Sequence, residues 1–147
     1  MEDKKLIYMD NNATTRVYEE VLEAMLPYFK EKYFNPSSMY SVAGGVHKEM
    51  EKAREQVADF LGCEKVEVCF VSCGSEGDNM AIRGTIEAYP TKNHIITTKV
   101  EHPAVIETCK SLERLGYRIT LLDVDNDGNI NLEELKKSVN ENTAIVF

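Results

Sequence analysis

The reading of the fold turns on 66-VEVCFVSCGSEGDNMAIRGTIEA-88 followed closely by 94-HIITT-98. Val66 to Val71 is β-branched and apolar and predicts a strand. The small residues within Ser72 to Asn79 predict a loop that leads into a helix, and Gly74 to Ala88 reads as that helix. His94 to Thr98 is a second short extended run. The same rhythm continues toward the C-terminus. Pro103 to Leu115 predicts a helix with proline in its permitted first turn, closed by Gly116-Tyr117. Arg118 to Leu122 predicts a strand, Leu132 to Val139 a helix, and Thr143 to Phe147 a last strand. Strands separated by helical segments require crossover connections, so the fold class is α/β, a mostly parallel sheet with flanking helices joined by right-handed βαβ units.

Upstream, two helical patterns precede the alternation. Glu19 to Tyr33 places Val21, Leu22, Met25, Leu26 and Phe29 at spacings of three and four. Asn35-Pro36-Ser37-Ser38 then interrupts the chain, because proline biases the residue before it away from helical dihedrals. A second helix carries Val46, Met50, Ala53, Val57, Phe60 and Leu61 on one face and ends at Gly62. The final strand Thr143-Ala144-Ile145-Val146-Phe147 is wholly apolar, as a central parallel strand is, and the expectation is of a sheet that continues beyond it.

The 147 residues carry 25 acidic and 17 basic side chains, a formal charge of −8. The basic residues are interspersed with acids, so no cationic stripe exists for nucleic acid or for an anionic membrane surface. At 43% hydrophobic and 29% charged residues, the composition is that of an ordinary globular domain. No apolar run reaches the ~18 residues of a membrane span, and Met1 to Lys5 lacks the apolar segment of a signal peptide. A cytoplasmic protein is the expectation. Cys63, Cys69, Cys73 and Cys109 form no C-x-x-C pair and read as reduced thiols.

In an open α/β sheet, ligands bind beyond the carboxyl ends of the strands. The loop Ser72 to Asn79 lets the backbone approach a ligand and aims the N–H groups of the following helix at it, with a serine hydroxyl as a further donor. That is the chemistry of a phosphate cradle. Small residues before a helix also serve as plain caps, and neither G-x-G-x-x-G nor a Walker pattern is present. After His94 to Thr98, Lys99-Val100-Glu101-His102-Pro103 sets an imidazole at a strand end, a position that suits either proton transfer or a structural role.

Four ordered motifs, Tyr8 to Thr15, Asn35-Pro36-Ser37-Ser38, 72-SCGSEGDNMAIRG-84 and Glu101-His102-Pro103-Ala104-Val105, resemble in order and spacing the N-terminal part of the cysteine desulfurases of iron–sulfur cluster assembly. These are pyridoxal 5'-phosphate (PLP) enzymes of the class V aminotransferase group. The resemblance implies part of the large domain of a fold type I PLP-dependent transferase, truncated at its C-terminus, with 1–40 as an N-terminal arm and helix and 41–147 as the start of the cofactor-binding domain. It implies that Gly74 and Ser75 bind the cofactor phosphate and that His102 lies over the cofactor ring and moves protons. It places Asn11 to Thr14 on the substrate side. No metal is implied. The reaction implied is removal of sulfur from L-cysteine to give alanine and an enzyme persulfide, in a homodimer that hands sulfur to an iron–sulfur scaffold protein. Selenocysteine lyases share much of this framework and are the alternative.

The chain departs from the family pattern at Cys73-Gly74, Gly77-Asp78, Tyr40 and Asn12, which leaves subfamily and substrate open. The family's Schiff-base lysine and catalytic cysteine correspond to no residue here, so the isolated chain is expected to be inactive. His47-Lys48 reads as a solvated helix face; Cys63, Cys69 and Cys109 read as packing residues. Two readings from other classes compete. Asp123 to Glu134 satisfies the spacing of an EF-hand calcium loop, but a strand pattern precedes it, so a solvent-exposed turn with acids at a helix N-terminus is expected. The chain could also be a stand-alone interaction or regulatory piece.

Overall fold

The computed structural model describes residues 7–147, which divide into two compact units, one up to Cys69 and the other Phe70–Phe147. In the first, α1 (Glu19–Lys30) and α2 (Ser41–Leu61) are the main elements. Glu49 of α2 joins them, accepting from the Tyr28 hydroxyl at 2.5 Å and from Lys32 Nζ at 2.6 Å. α1 buries none of its residues, and its periodic face of Val21, Leu22, Met25, Leu26 and Phe29 stays exposed. α2 carries the predicted apolar positions, starts at Ser41 and takes Gly44 and Gly45 into its first turns. It ends at Gly62, whose φ of +70° is the left-handed cap that glycine adopts without a Cβ clash.

The strand expected at Val66 to Val71 does not form. Lys65–Glu67 is a 3-10 turn fixed by a capping box, in which the Glu64 side chain bonds the Glu67 backbone and the Glu67 carboxylate accepts from Glu64 N at 2.7 Å. Val66 is 88% exposed. Val68 is extended, yet its carbonyl accepts from Arg54 Nη1 of α2 instead of from a neighbouring strand. The apolar pattern fits a strand, but a strand also needs a partner, and none of the described residues supplies a ladder here.

The second unit holds α3 (Gly74–Ala88), β1 (His94–Thr98), α4 (Pro103–Glu113), β2 (Arg118–Leu122), α5 (Leu132–Ser138) and β3 (Thr143–Val146). All three strands are parallel in the order β2-β1-β3. β1 is central and its first four residues are buried, which is why it reads as an uninterrupted apolar and β-branched run. Ile82 and Ile86 of α3, Ile95 of β1, and Val105, Cys109 and Leu112 of α4 make the core. Each such side chain removed from water stabilises the unit by ~1.5–3 kcal/mol before entropy. β3 lies at one edge with Val146 and Phe147 exposed.

Topology fixes the direction of the helices. α3 leads into the start of β1, and α4 runs from the end of β1 to the start of β2. Both therefore run against the strands, and both N-termini lie at the carboxyl end of the sheet. Arg83 Nη2 donates to Ser111 Oγ at 3.2 Å, linking the third turn of each helix and holding the two at a common level.

Candidate functional site

Gly74 and Ser75 are the first residues of α3, a helix of 15 residues, and both are exposed. The extended Cys73 precedes them and its carbonyl accepts from Gly77 N at 3.2 Å. The N-cap residue, Cys73, makes no side-chain capping bond among the described residues. Its first-turn N–H groups and positive dipole end are open to an anion. The acid of this turn, Glu76, is turned back on the loop, accepting from Ser72 N at 2.6 Å and Ser72 Oγ at 2.7 Å. These two bonds hold its carboxyl below the ordinary glutamate range. The exposed Cys73 thiol is also held below its ordinary value, chiefly by the backbone N–H of Glu76, then by the Ser72 hydroxyl, with the Ser75 N–H adding to the effect.

A chain of side-chain bonds fixes this helix end against α4. Asn79 Nδ2 donates to Ser75 O at 2.9 Å, Arg83 Nε donates to Asn79 Oδ1 at 3.3 Å, and Arg83 reaches Ser111. α4 in turn carries His102 as its N-cap, where Nδ1 accepts from Ala104 N at 3.1 Å. With Nδ1 an acceptor, the proton of the neutral ring sits on Nε2. His102 is exposed. Gly74, Ser75 and His102 thus stand at two helix N-termini on the carboxyl side of one sheet. Asn11 to Thr14 belong to the other unit, where Ala13 N and Thr14 N bond the Asp10 carbonyl in a turn.

The remaining sequence candidates fall elsewhere. His47 and Lys48 are exposed on α2, and Cys109 is a buried core residue whose thiol burial pushes above its ordinary value. Cys63 is half-buried, whereas Cys69 is exposed and so is not the packing residue expected. Asp123 to Glu134 follows β2, not a helix. Asp123 pairs with Lys99 at 2.7 Å, Asp125 Oδ1 accepts from the backbone N–H of Asp127 and of Asn129, and Val124 bridges Ile130. Asn131 caps α5 by accepting from Glu133 N and Glu134 N. The segment is an exposed turn between β2 and α5, with Asn131 as the N-cap of that helix.

Sequence reasoning missed His94. It is 1% exposed at the start of β1, opposite the candidate site, with Nδ1 2.9 Å from Thr143 Oγ1 and Nε2 2.8 Å from Thr120 Oγ1. Its partners are far off in sequence, so no local pattern announces it.

Residues 7–147 match the Aminotransferase class-V family. The chain belongs to the class-V aminotransferases. Among curated relatives, a cysteine desulfurase of Trichormus azollae is 53% identical over 141 residues, covering 96% of this chain and 35% of that protein. Cysteine desulfurase IscS of Clostridium botulinum (strain Hall) is 46% identical over 143 residues, covering 97% and 36%. A solved NifS-like protein superposes with a TM-score of 0.91 at 44% identity over 95% of this chain and 39% of its own. A structure of SspA in complex with cysteine gives 0.88 at 34% identity, covering 95% and 40%. The chain thus spans about a third of the length of the curated relatives it matches.

Proposed function

We propose that this chain forms the phosphate cradle and the histidine-bearing loop of a PLP-dependent cysteine desulfurase. The observation that carries the reading is the 53% identity to a cysteine desulfurase over 96% of the chain. The donor set fits the phosphate end of the cofactor. The first turn of α3 offers exposed N–H groups and the Ser75 hydroxyl, while its acid is engaged by Ser72. Gly74 N–H, Ser75 N–H and Ser75 Oγ would hold the phosphate oxygens, helped by the dipole of a long helix.

When bound, PLP supplies an electron sink for charge developing at the substrate Cα. The chain's own work is to anchor and to move protons. Asn79, Arg83 and Ser111 keep the phosphate-binding turn in register with α4. With Nδ1 committed to Ala104 N–H, the neutral His102 ring offers Nε2–H as a proton donor to the substrate side. L-cysteine as substrate, a homodimeric state, a cytoplasmic location and transfer of sulfur to an iron–sulfur scaffold protein belong to the same proposal. Among the described residues no helix is long and apolar enough to cross a membrane.

The test uses a polypeptide carrying this chain together with the remainder of the family's length. It should convert L-cysteine to alanine with release of sulfide under a reductant. Turnover of selenocysteine with none of cysteine would reassign it as a selenocysteine lyase, and loss of neither sulfur nor selenium would refute the reading.

A further inference from the structure

The segment that carries His102 is bonded more closely than a four-residue connection requires. Lys99 N extends the β1–β2 ladder by donating to Leu122 O at 3.0 Å, and Lys99 Nζ meets Asp123 at 2.7 Å. Thr98 Oγ1 accepts from Val100 N at 3.4 Å and donates to Glu101 Oε1 at 3.1 Å. The Thr98–Glu101 bond closes a small ring across Lys99 and Val100. It thereby fixes the backbone direction from which His102 enters α4.

Glu101 is an unusual residue to find in that place. Its side chain is half-buried, and it makes no ion pair among the described residues. It is turned back on the chain, its Oε1 taking the Thr98 hydroxyl at 3.1 Å. The Thr98 hydroxyl and the N-terminal dipole of α4 are what compensate the carboxylate. A residue serving the dipole alone would need no hydroxyl partner, and a residue serving solubility alone would not be half-buried.

We propose that Glu101 is a positioning residue for His102: by accepting from Thr98 it holds the loop so that His102 Nδ1 stays on Ala104 N–H and Nε2 faces outward. The proposal rests on the reading of His102 as the proton carrier, and it concerns how that ring is held. A ring held at Nδ1 presents one nitrogen to a substrate; a loose ring presents either. Orientation of this kind separates a placed proton donor from a merely nearby one.

The experiment has two arms. In the 147-residue chain, long-range nitrogen–proton NMR of the three histidines, assigned with His102→Gln, reads the tautomer of His102, and hydrogen exchange reads the Ala104 amide. The unsubstituted chain and Glu101→Gln should show the proton on Nε2 alone with a protected amide. Glu101→Ala should admit the second tautomer and speed Ala104 exchange about tenfold, the order set by one hydrogen bond. In the polypeptide of family length, Glu101→Ala should lower kcat on L-cysteine about tenfold with KM unchanged, and Glu101→Gln should restore it, because the amide oxygen still accepts from Thr98. Equal behaviour of all three proteins, or a Gln variant as impaired as the Ala variant, overturns the proposal. Absence of cysteine turnover in the unsubstituted polypeptide overturns the functional reading alone, and the NMR arm then decides.

Discussion

Replacing His94 by alanine removes a ring that ties all three strands of the sheet at their amino ends. Asn140 N donates to Thr143 Oγ1 at 3.0 Å, which leaves the Thr143 hydroxyl proton for His94 Nδ1, while Nε2–H serves Thr120. Asn140 Nδ2 also approaches Nδ1 at 3.3 Å. Truncation opens a cavity in a site only 1% exposed, worth ~2 kcal/mol, and strands the Thr143 hydroxyl for ~1 kcal/mol more; the half-buried Thr120 can turn to water. We expect a loss of ~3 kcal/mol in urea unfolding of the 147-residue chain. Burial, and secondarily the Arg118 charge, hold the His94 pKa below its ordinary value. The unfolded chain therefore binds this proton more readily than the native one. The stabilisation is complete above about pH 6.5 and is lost as pH falls from there through the native-state pKa, at no more than ~1.4 kcal/mol per pH unit. Urea midpoints measured from pH 7.5 down to 5 should fall more steeply for the unsubstituted chain than for His94→Gln, which cannot titrate. Parallel pH profiles, or a His94→Ala cost below ~0.5 kcal/mol, would refute the network as the tie between strands.

Three further outcomes are expected. Among the described residues, Thr97 Oγ1 is buried in β1 with no hydrogen-bond partner, so Thr97→Val should leave stability unchanged or raise it by up to ~1 kcal/mol in the same assay. Calorimetry should show no saturable calcium binding at micromolar concentration, and Asp123→Ala should melt alike in calcium and in chelator; micromolar affinity lost on Glu134→Gln would restore the EF-hand reading. Light scattering over a concentration series should show the 147-residue chain self-associating, since β3 is an edge strand with Val146 and Phe147 exposed; a monodisperse monomer that melts cooperatively would count against this.

The elements that could be read from the sequence are those whose pattern and partners coincide locally. β1 and β2 have the boundaries predicted: β1 because burial of a central parallel strand writes a nearly unbroken apolar or β-branched run, and β2, an edge strand buried only at Leu122, because Gly116 and the run Ile119-Thr120-Leu121-Leu122 mark it locally. α3 and α4 start where the small-residue loop and Pro103 say they should. Val66 to Val71 carries an equally good pattern and fails, because the Glu64–Glu67 box and the Arg54 guanidinium claim its backbone and strand formation depends on a neighbour the pattern does not contain. The apolar face of α2 was legible from Val46 onward, whereas its first turn, Ser41 to Gly45, carries no apolar periodicity and so left the start of the helix unmarked. At the candidate site, Gly74, Ser75 and His102 were legible as loop and strand-end residues. The cap made by His102 was not, since histidine is outside the usual capping set of serine, threonine, aspartate and asparagine. Glu101 and His94 were illegible for the same reason: what each one does is set by hydroxyls that the fold brings to it.

The central claim is that the N-terminus of α3 holds the cofactor phosphate, and the dissociation constant of PLP from the polypeptide of family length tests it most directly. Loss of one hydrogen bond to a charged group costs ~1.5–3 kcal/mol, so Ser75→Ala should weaken binding between about tenfold and a hundredfold, while Ser75→Thr, which keeps the hydroxyl, should bind within about twofold of the unsubstituted protein. Binding unchanged by Ser75→Ala, or weakened equally by Ser75→Thr, would contradict the account.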